Sequence, residues 1–326
     1  MFAQLDESPA VPTARWFLPT GSLALDYAIS LKIDGTGGYP GGCIVELFGE
    51  PSTGKSLLLA KAAAEAQKLD VMPIIADAEA RWDDEFAAVH GVDASKRRLF
   101  IPTTVEEFAV GSHRQLQFAK ENNLRILLIL DSLAILSTLK ETEDIAEGEM
   151  KADQGRKAQR IRQAMRVLKS LIRDTGSIML IANHVIANPG SYIGKTTPGG
   201  GGVPFQSSVR VELLGTKKIE IQGKKVPIGV TLHAKVAKNS IAPPFGECTI
   251  DCTWAEGVDK YSGLVPIMED LGMITRNGSW YTYDQCDSNG ESIKFQSKDL
   301  AKILLAHPQI LQDSRWTKPY FLSQGE

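Results

Sequence analysis

GEPSTGKS, residues 49–56, fits the pattern G-x-x-x-x-G-K-[ST], and its flanks restrict the fold more than any other stretch of the chain. Before it lies the apolar run CIVELF (43–48). After it, SLLLAKAAAEAQKLD (56–70) is rich in strong helix formers. A strand that feeds a helix through glycines turns successive backbone N–H groups inward, where the helix N-terminus adds partial positive charge and a phosphate can be cradled. Gly49, Glu50, Pro51, Ser52, Thr53, Gly54, Lys55, Ser56 and Leu57 are therefore expected to hold ATP. Lys55 would bridge the β- and γ-phosphates, and the Ser56 hydroxyl would bind Mg²⁺.

Three more short, nearly continuous apolar runs follow: VMPIIAD (71–77), ILLILD (126–131) and SIMLIAN (177–183). Strands buried on both faces of a parallel sheet read this way. Helical stretches separate them, among them RKAQRIRQAMRVLKSLIRD (156–174), with Ile161, Met165, Leu168 and Ile172 at helical spacing. The expected fold class is α/β, a phosphate-loop core with a mostly parallel sheet. VRVELL (209–214), IGVTLHAKV (228–236) and ECTIDCTW (247–254) have no helix between them and read as an antiparallel extension of that sheet. Pro73 opposes a central place for its strand unless it stands at the strand's start. Residues 1–20 read as an N-terminal arm, 21–255 as the core, and 256–326 as a small C-terminal α/β domain with a turn at Asn277-Gly278.

A phosphate loop also needs a carboxylate at the end of a neighbouring strand to hold Mg²⁺ through water, and Asp131 closes ILLILD in that position. Asp77 and Glu79 stand at another strand end, and either can polarise an attacking water. The four cysteines form no CxxC pair and are expected to be buried free thiols. No apolar run approaches the roughly 20 residues that span a bilayer, so no membrane partner and a cytoplasmic location are expected. A net charge of −3 does not mark a general nucleic-acid binder, so any DNA site must be local.

Read together, TGSLALDYAI, GGCIVELFGEPSTGKS, DAEARWDDEFAAVHGVD, ILLILDS, EGEMKADQGRKAQRIRQAMR, LIANH, TTPGGGG with FQSSVRVEL, VAKNSIAPPFGE, and EGVDKYSGLVPIMEDLGM with NGSWYTY resemble the RecA/RadA recombinase family. They occur in family order from about residue 20 to 283, and LIANH and the closing stretch are most similar to the phage, UvsX-like branch. The resemblance implies a RecA-like core that catalyses DNA-stimulated ATP hydrolysis and forms helical filaments on single-stranded DNA, pairing it with homologous duplex DNA. It also implies single-strand-binding and loading proteins as partners. Glu79 is implied to be the general base, Phe86 the aromatic stacked on adenine, Asp131 the Walker B acid, and His184 the γ-phosphate sensor, where bacterial members usually have Gln.

Two segments match the family's DNA-binding loops, at about 147–157 and 187–206. The second is rich in Gly and Pro, is expected to hold no regular element, and offers Tyr192, Lys195, Gly199, Gly200 and Phe205 for stacking and phosphate contact. At the first, Arg156 and Lys157 begin a basic run that continues through Arg173. VAKNSIAPPF matches the segment that reaches a neighbour's ATP in trans. Lys238 stands where the first of two lysines is expected, and Ser240 replaces the second. A hexameric helicase of the same fold would share the phosphate loop and Asp131, but the two-loop pattern and the C-terminal match oppose it. A non-catalytic ATP-binding accessory protein is opposed by the intact Lys55, Ser56, Glu79 and Asp131 and favoured by Ser240.

Overall fold

The structure, a computed structural model, describes residues 16–148, 154–187, 195–197, 202–221, 226–287 and 290–317. β1 (Phe17–Leu18) and β2 (Tyr39–Pro40) form a ribbon around α1 (Leu23–Ser30), which Ser22 caps by accepting from the Leu25 N–H. The expected arm is described only from Trp16. There the indole N–H donates to the Gly176 carbonyl at 2.7 Å, so Trp16 to Leu18 lie on the chain's own core.

The alternating part then runs β3 (Cys43–Gly49), α2 (Lys55–Lys68), β4 (Met72–Asp77), α3 (Asp84–Val89), β5 (Arg98–Phe100), α4 (Val105–Glu121), β6 (Ile126–Asp131), α5 (Leu139–Ala146), α6 (Gln154–Thr175) and β7 (Ile178–His184). α2 is built on alanine and leucine, whose inward face is buried, and α5 begins with a capping box between Thr138 and Glu141. The 22 residues of α6 bury Ile161, Met165, Leu168 and Ile172 at the expected helical spacing.

After β7 the short strands β8 (Ile186–Ala187) and β9 (Lys195–Thr196) pair, and α7 (Gly202–Gln206) follows. The expectation that residues 187–206 hold no regular element is thus corrected. Gly202 lies against α6, where an added Cβ would stand 3.5 Å from the Arg162 backbone, Val203 is fully buried, and Pro204 sits in a first helical turn, where its missing N–H costs no bond.

β10 (Val209–Ile219), β11 (Gly229–Asn239), β12 (Glu247–Thr253) and β13 (Gly257–Val258) complete a nine-stranded sheet of order β13-β12-β11-β10-β3-β7-β6-β4-β5. The six strands from β10 to β5 are parallel, and β11 to β13 extend the sheet antiparallel beyond β10. Pro73 is the second residue of β4. Its pairing with β5 begins only at Ile74, so the missing N–H falls where that neighbour has not started. One face of the sheet packs against α1 and α2, the other against α4 and α6.

The last segment comprises α8 (Leu264–Asp270), the antiparallel strands β14 (Ile274–Asn277), β15 (Trp280–Cys286) and β16 (Ser292–Phe295), and α9 (Leu300–Ala306). Asn277 pairs with Trp280, so Gly278 and Ser279 form the turn, with Gly278 at φ 62°. Trp316 meets Tyr27 of α1 edge-on at 5.4 Å between ring centroids, joining this segment to the core. Cys43, Cys248 and Cys252 are buried, as expected, but Cys286 is exposed, because it ends β15 beyond the part of that strand with an inward face.

Arg315 ties the segment together by donating to Asp313, Asp284 and the Gly272 carbonyl. Its hydrogen bond holds the Asp313 carboxyl down at about 2, against an opposing push from burial. A carboxyl depressed in the folded state stabilises the protein above its ordinary pKa near 4, and that stabilisation is lost as pH falls towards 2. Urea unfolding should therefore show Arg315→Met less stable than the parent above pH 4, with the gap shrinking as pH falls from 4 to 3. A gap independent of pH would mean the pair contributes packing alone.

Candidate nucleotide site

The phosphate loop leaves β3 at Gly49, where a Cβ would lie 2.4 Å from the Leu213 carbonyl oxygen, so only glycine lets β3 and β10 approach here. Ser52 adopts φ 60°, and Gly54 adopts φ 92° with its Cβ direction blocked by Leu232 at 2.7 Å. Thr53 ties the loop to itself by donating to the Glu50 carbonyl at 2.9 Å. Lys55, only 6% exposed, donates to the carbonyls of Gly49 (3.1 Å) and Glu50 (2.8 Å). Burial pushes its ammonium below the usual lysine pKa, opposed by the carboxylates of Asp131, Glu79 and Glu50. The loop is thus folded around its own cation.

Ser56 donates from its hydroxyl to Asp131 Oδ2 at 2.7 Å, joining the first turn of α2 to the end of β6. Burial raises the Asp131 carboxyl, and the negative charges of Glu79 and Asp77 raise it further against the Ser56 hydrogen bond and Lys55. Hydroxyl and carboxylate oxygens are hard donors that fit Mg²⁺, whose charge would favour the ionised form of Asp131 and oppose the upward push on its carboxyl. Among the described residues no three His, Cys, Asp or Glu side chains converge into a metal cage, so such an ion would complete its shell with phosphate oxygens and water.

Of the two carboxylates at the end of β4, the structure separates the roles. Asp77 is 4% exposed and accepts the Trp82 N–H at 2.7 Å, which makes it the staple of its turn. Glu79 faces the cavity. Its Oε1 accepts the Ser132 hydroxyl at 2.8 Å and lies 3.2 Å from His184 Nε2, while Oε2 lies 3.2 Å from Arg81. Burial works to raise the Glu79 carboxyl, but the hydrogen bonds from Ser132 and His184, with the charges of His184 and Arg81, outweigh it and hold the group below the usual range.

These groups line a cavity of about 420 Å³ together with Pro51, Leu57 and Phe86. Phe86 is 40% exposed on α3, which Asp83 caps, and meets His90 edge-on at 4.6 Å. Trp82 and Trp254 line the same cavity. Sequence reading passed over both, though they stand inside the quoted stretches DAEARWDDEF and ECTIDCTW; Ser132, in ILLILDS, was missed in the same way.

The remaining expected residues lie apart. Lys238, on β11, does not line the cavity; its ammonium donates to the carbonyls of Pro204 (2.8 Å) and Phe205 (3.4 Å) at the end of α7. Burial lowers its pKa, and the charges of Lys169 and Arg210 lower it further. Ser240 takes part through its backbone, donating to the Ser208 carbonyl. Phe205 is 81% exposed and Arg156 is exposed at the start of α6, while the half-buried Lys157 donates to the Ala134 carbonyl at 3.0 Å. Lys195 is placed by its backbone pairing with Ala187, and Tyr192, Gly199 and Gly200 lie outside the described residues.

A glycine loop joining strand to helix, a buried lysine folded over it, and a hydroxyl–carboxylate pair at the ends of parallel strands define a P-loop nucleotide-binding α/β protein. The family model for the RecA N-terminal domain matches residues 11–259. Protein RecA of Streptococcus mutans is 35% identical over 301 residues, covering 91% of this chain and 74% of that protein. Protein RecA of Streptococcus parasanguinis is 34% identical over the same length and shares. The chain belongs to the RecA family.

Of the five tryptophans, only Trp82 and Trp254 line the cavity. Adding an ATP analogue should therefore change the protein's tryptophan fluorescence, and Trp82→Phe with Trp254→Phe should remove most of that change. A response that survives in the double variant would place the nucleotide elsewhere.

Proposed function

We propose that this chain is an ATP-dependent DNA recombinase that assembles as a helical filament on single-stranded DNA and pairs it with homologous duplex DNA. The observation that carries the reading is the contact between Glu79 and His184. It puts the expected base and the expected γ-phosphate sensor 3.2 Å apart in the phosphate-loop cavity, with His184 ending the strand that leads into the second DNA loop.

On this reading Lys55 exchanges its two loop carbonyls for β- and γ-phosphate oxygens, and the backbone N–H groups of residues 49–56 cradle the β-phosphate. Phe86 stacks on the adenine. Ser56 would hold Mg²⁺ directly and Asp131 through water, the ion supplying charge neutralisation at the phosphates. Glu79, kept ionised by its hydrogen bonds, orients and deprotonates the attacking water. His184 donates to the γ-phosphate, and the loops at about 147–157 and 187–206 close on the strand through Arg156, Lys157, Tyr192, Lys195, Gly199, Gly200 and Phe205. Lys238 supplies charge to a neighbour's ATP in trans, and Ser240 leaves it without the second lysine. His184 in LIANH favours the phage, UvsX-like branch, with a cytoplasmic setting and single-strand-binding and loading proteins as partners.

Negative-stain electron microscopy on single-stranded DNA tests this. Long helical filaments are expected with a non-hydrolysable ATP analogue, lost or compacted with ADP. Closed rings would favour a helicase of the same fold, and no assembly in either state an ATP-binding accessory protein. Lys55→Ala should abolish the analogue-dependent filaments, because the loop loses its one lysine. Glu79→Gln should keep them while lowering steady-state ATP turnover by roughly 10²- to 10⁴-fold, the usual contribution of a general base. An unchanged rate would remove Glu79 from that role.

A further inference from the structure

Glu46 is anomalous. It sits in the middle of β3 with no exposed surface, in a strand buried on both faces, where an apolar side chain is the ordinary occupant. Exchanging a buried ion pair for well-packed apolar side chains is often neutral or stabilising, so stability does not account for it. Its contacts point elsewhere. Glu46 Oε1 accepts the side-chain amide of the fully buried Asn183 at 2.9 Å, and Oε2 accepts Arg210 Nε at 2.6 Å. Asn183 in turn accepts the backbone N–H of His184 on its Oδ1 at 3.0 Å, and His184 meets Glu79. On the other side the Arg210 guanidinium lies 4.3 Å over the Phe48 ring and brings Nη2 within 3.5 Å of the Thr197 hydroxyl. Thr197 is 5% exposed and belongs to the second loop.

We infer that Glu46, with Asn183 and Arg210, is a positioning relay that ties the phosphate-sensing end of β7 to the second DNA loop. One carboxylate holds both ends. Through Asn183 it fixes the peptide of His184, and through Arg210 it fixes Thr197, thirteen residues further along the chain. The path Glu79–His184–Asn183–Glu46–Arg210–Thr197 crosses three adjacent strands, β7, β3 and β10, with no gap longer than 3.5 Å. A displacement of His184 at the cavity then reaches Thr197 through directional hydrogen bonds, those to Glu46 and Arg210 charge-assisted, which do not slide as apolar contacts do. Phe48 keeps the Arg210 plane in place. None of the three residues touches nucleotide or DNA; they act through His184 and the loop. This role rests on the recombinase reading, in which His184 meets the γ-phosphate and the second loop meets DNA.

The test is the affinity of the full-length protein for fluorescein-labelled oligo(dT), measured by anisotropy with a non-hydrolysable ATP analogue and with ADP. The ratio of the two dissociation constants is the coupling. Glu46→Gln alone strands the Arg210 charge against an amide and can unfold the protein, so the principal variant is Glu46→Gln with Arg210→Gln, which removes both charges and leaves neutral polar groups facing each other. Thr197→Val, at the far end of the path, is the milder second variant. The ratio is expected to fall roughly tenfold in the double variant, a common size for such coupling, and in the same direction in Thr197→Val. Thermal midpoint and analogue affinity, read from tryptophan fluorescence, should stay near the parent's in Thr197→Val. A parent-like ratio in folded variants would overturn the relay and leave the recombinase reading intact. A ratio near one in the parent itself would overturn both.

Discussion

The phosphate loop, Asp77, Asp131 and His184 stand together because parallel strands end together. Gly49 of β3 is in register with His184 of β7 on one side and Leu213 of β10 on the other, and Asp77 of β4 is in register with Asp131 of β6. Residues distant in the sequence are thereby delivered to the same ends of neighbouring strands. The register is held by burial: the strands' apolar side chains are nearly all without solvent exposure on both faces, and slipping one strand by a residue would turn its alternate face to the wrong layer. The phosphate loop depends on the same constraint, since the close approach of β10 at Leu213 leaves room at position 49 for glycine alone.

This explains which parts of the molecule were legible in the sequence. The loop and its flanking strand and helix are local, and an eight-residue spacing with short-range periodicity reports them directly. Asp131 was legible because it closes an apolar run. The choice between Asp77 and Glu79 was not, since the two differ only in what their oxygens meet: Trp82 N–H for one, Ser132 and His184 for the other. Glu46 was hidden inside CIVELF, where the apolar pattern absorbs it, and its partners Asn183 and Arg210 lie 137 and 164 residues away. Trp254 reaches the cavity only because the antiparallel extension carries the end of β12 back across the sheet edge. The regular elements within residues 187–206 escaped notice because Gly and Pro mask periodicity, whereas Val203 and the closeness of Gly202 to α6 are tertiary facts.

The electrostatics of the cavity make nucleotide and cation interdependent. Asp77, Glu79 and Asp131 gather at the ends of two adjacent strands, and the buried ammonium of Lys55 offsets only part of their charge, so that Asp131 is pushed upward by its neighbours as well as by burial. A triphosphate brought alone into this site would meet that negative charge in a medium where screening is weak. A divalent cation held by Ser56 and Asp131 would reverse the balance, because its charge would compensate both the carboxylates and the phosphates. Lys55 is already desolvated and held by two carbonyls, so on the proposed reading its exchange onto phosphate oxygens would carry little reorganisation. Glu79 is held ionised by a different means, hydrogen bonds from Ser132 and His184, and one of those donors is the group expected to turn towards the γ-phosphate. Loss of the His184 contact would remove one of the bonds that lower the Glu79 carboxyl, so on the proposed reading sensing of the phosphate and the basicity of Glu79 would be linked.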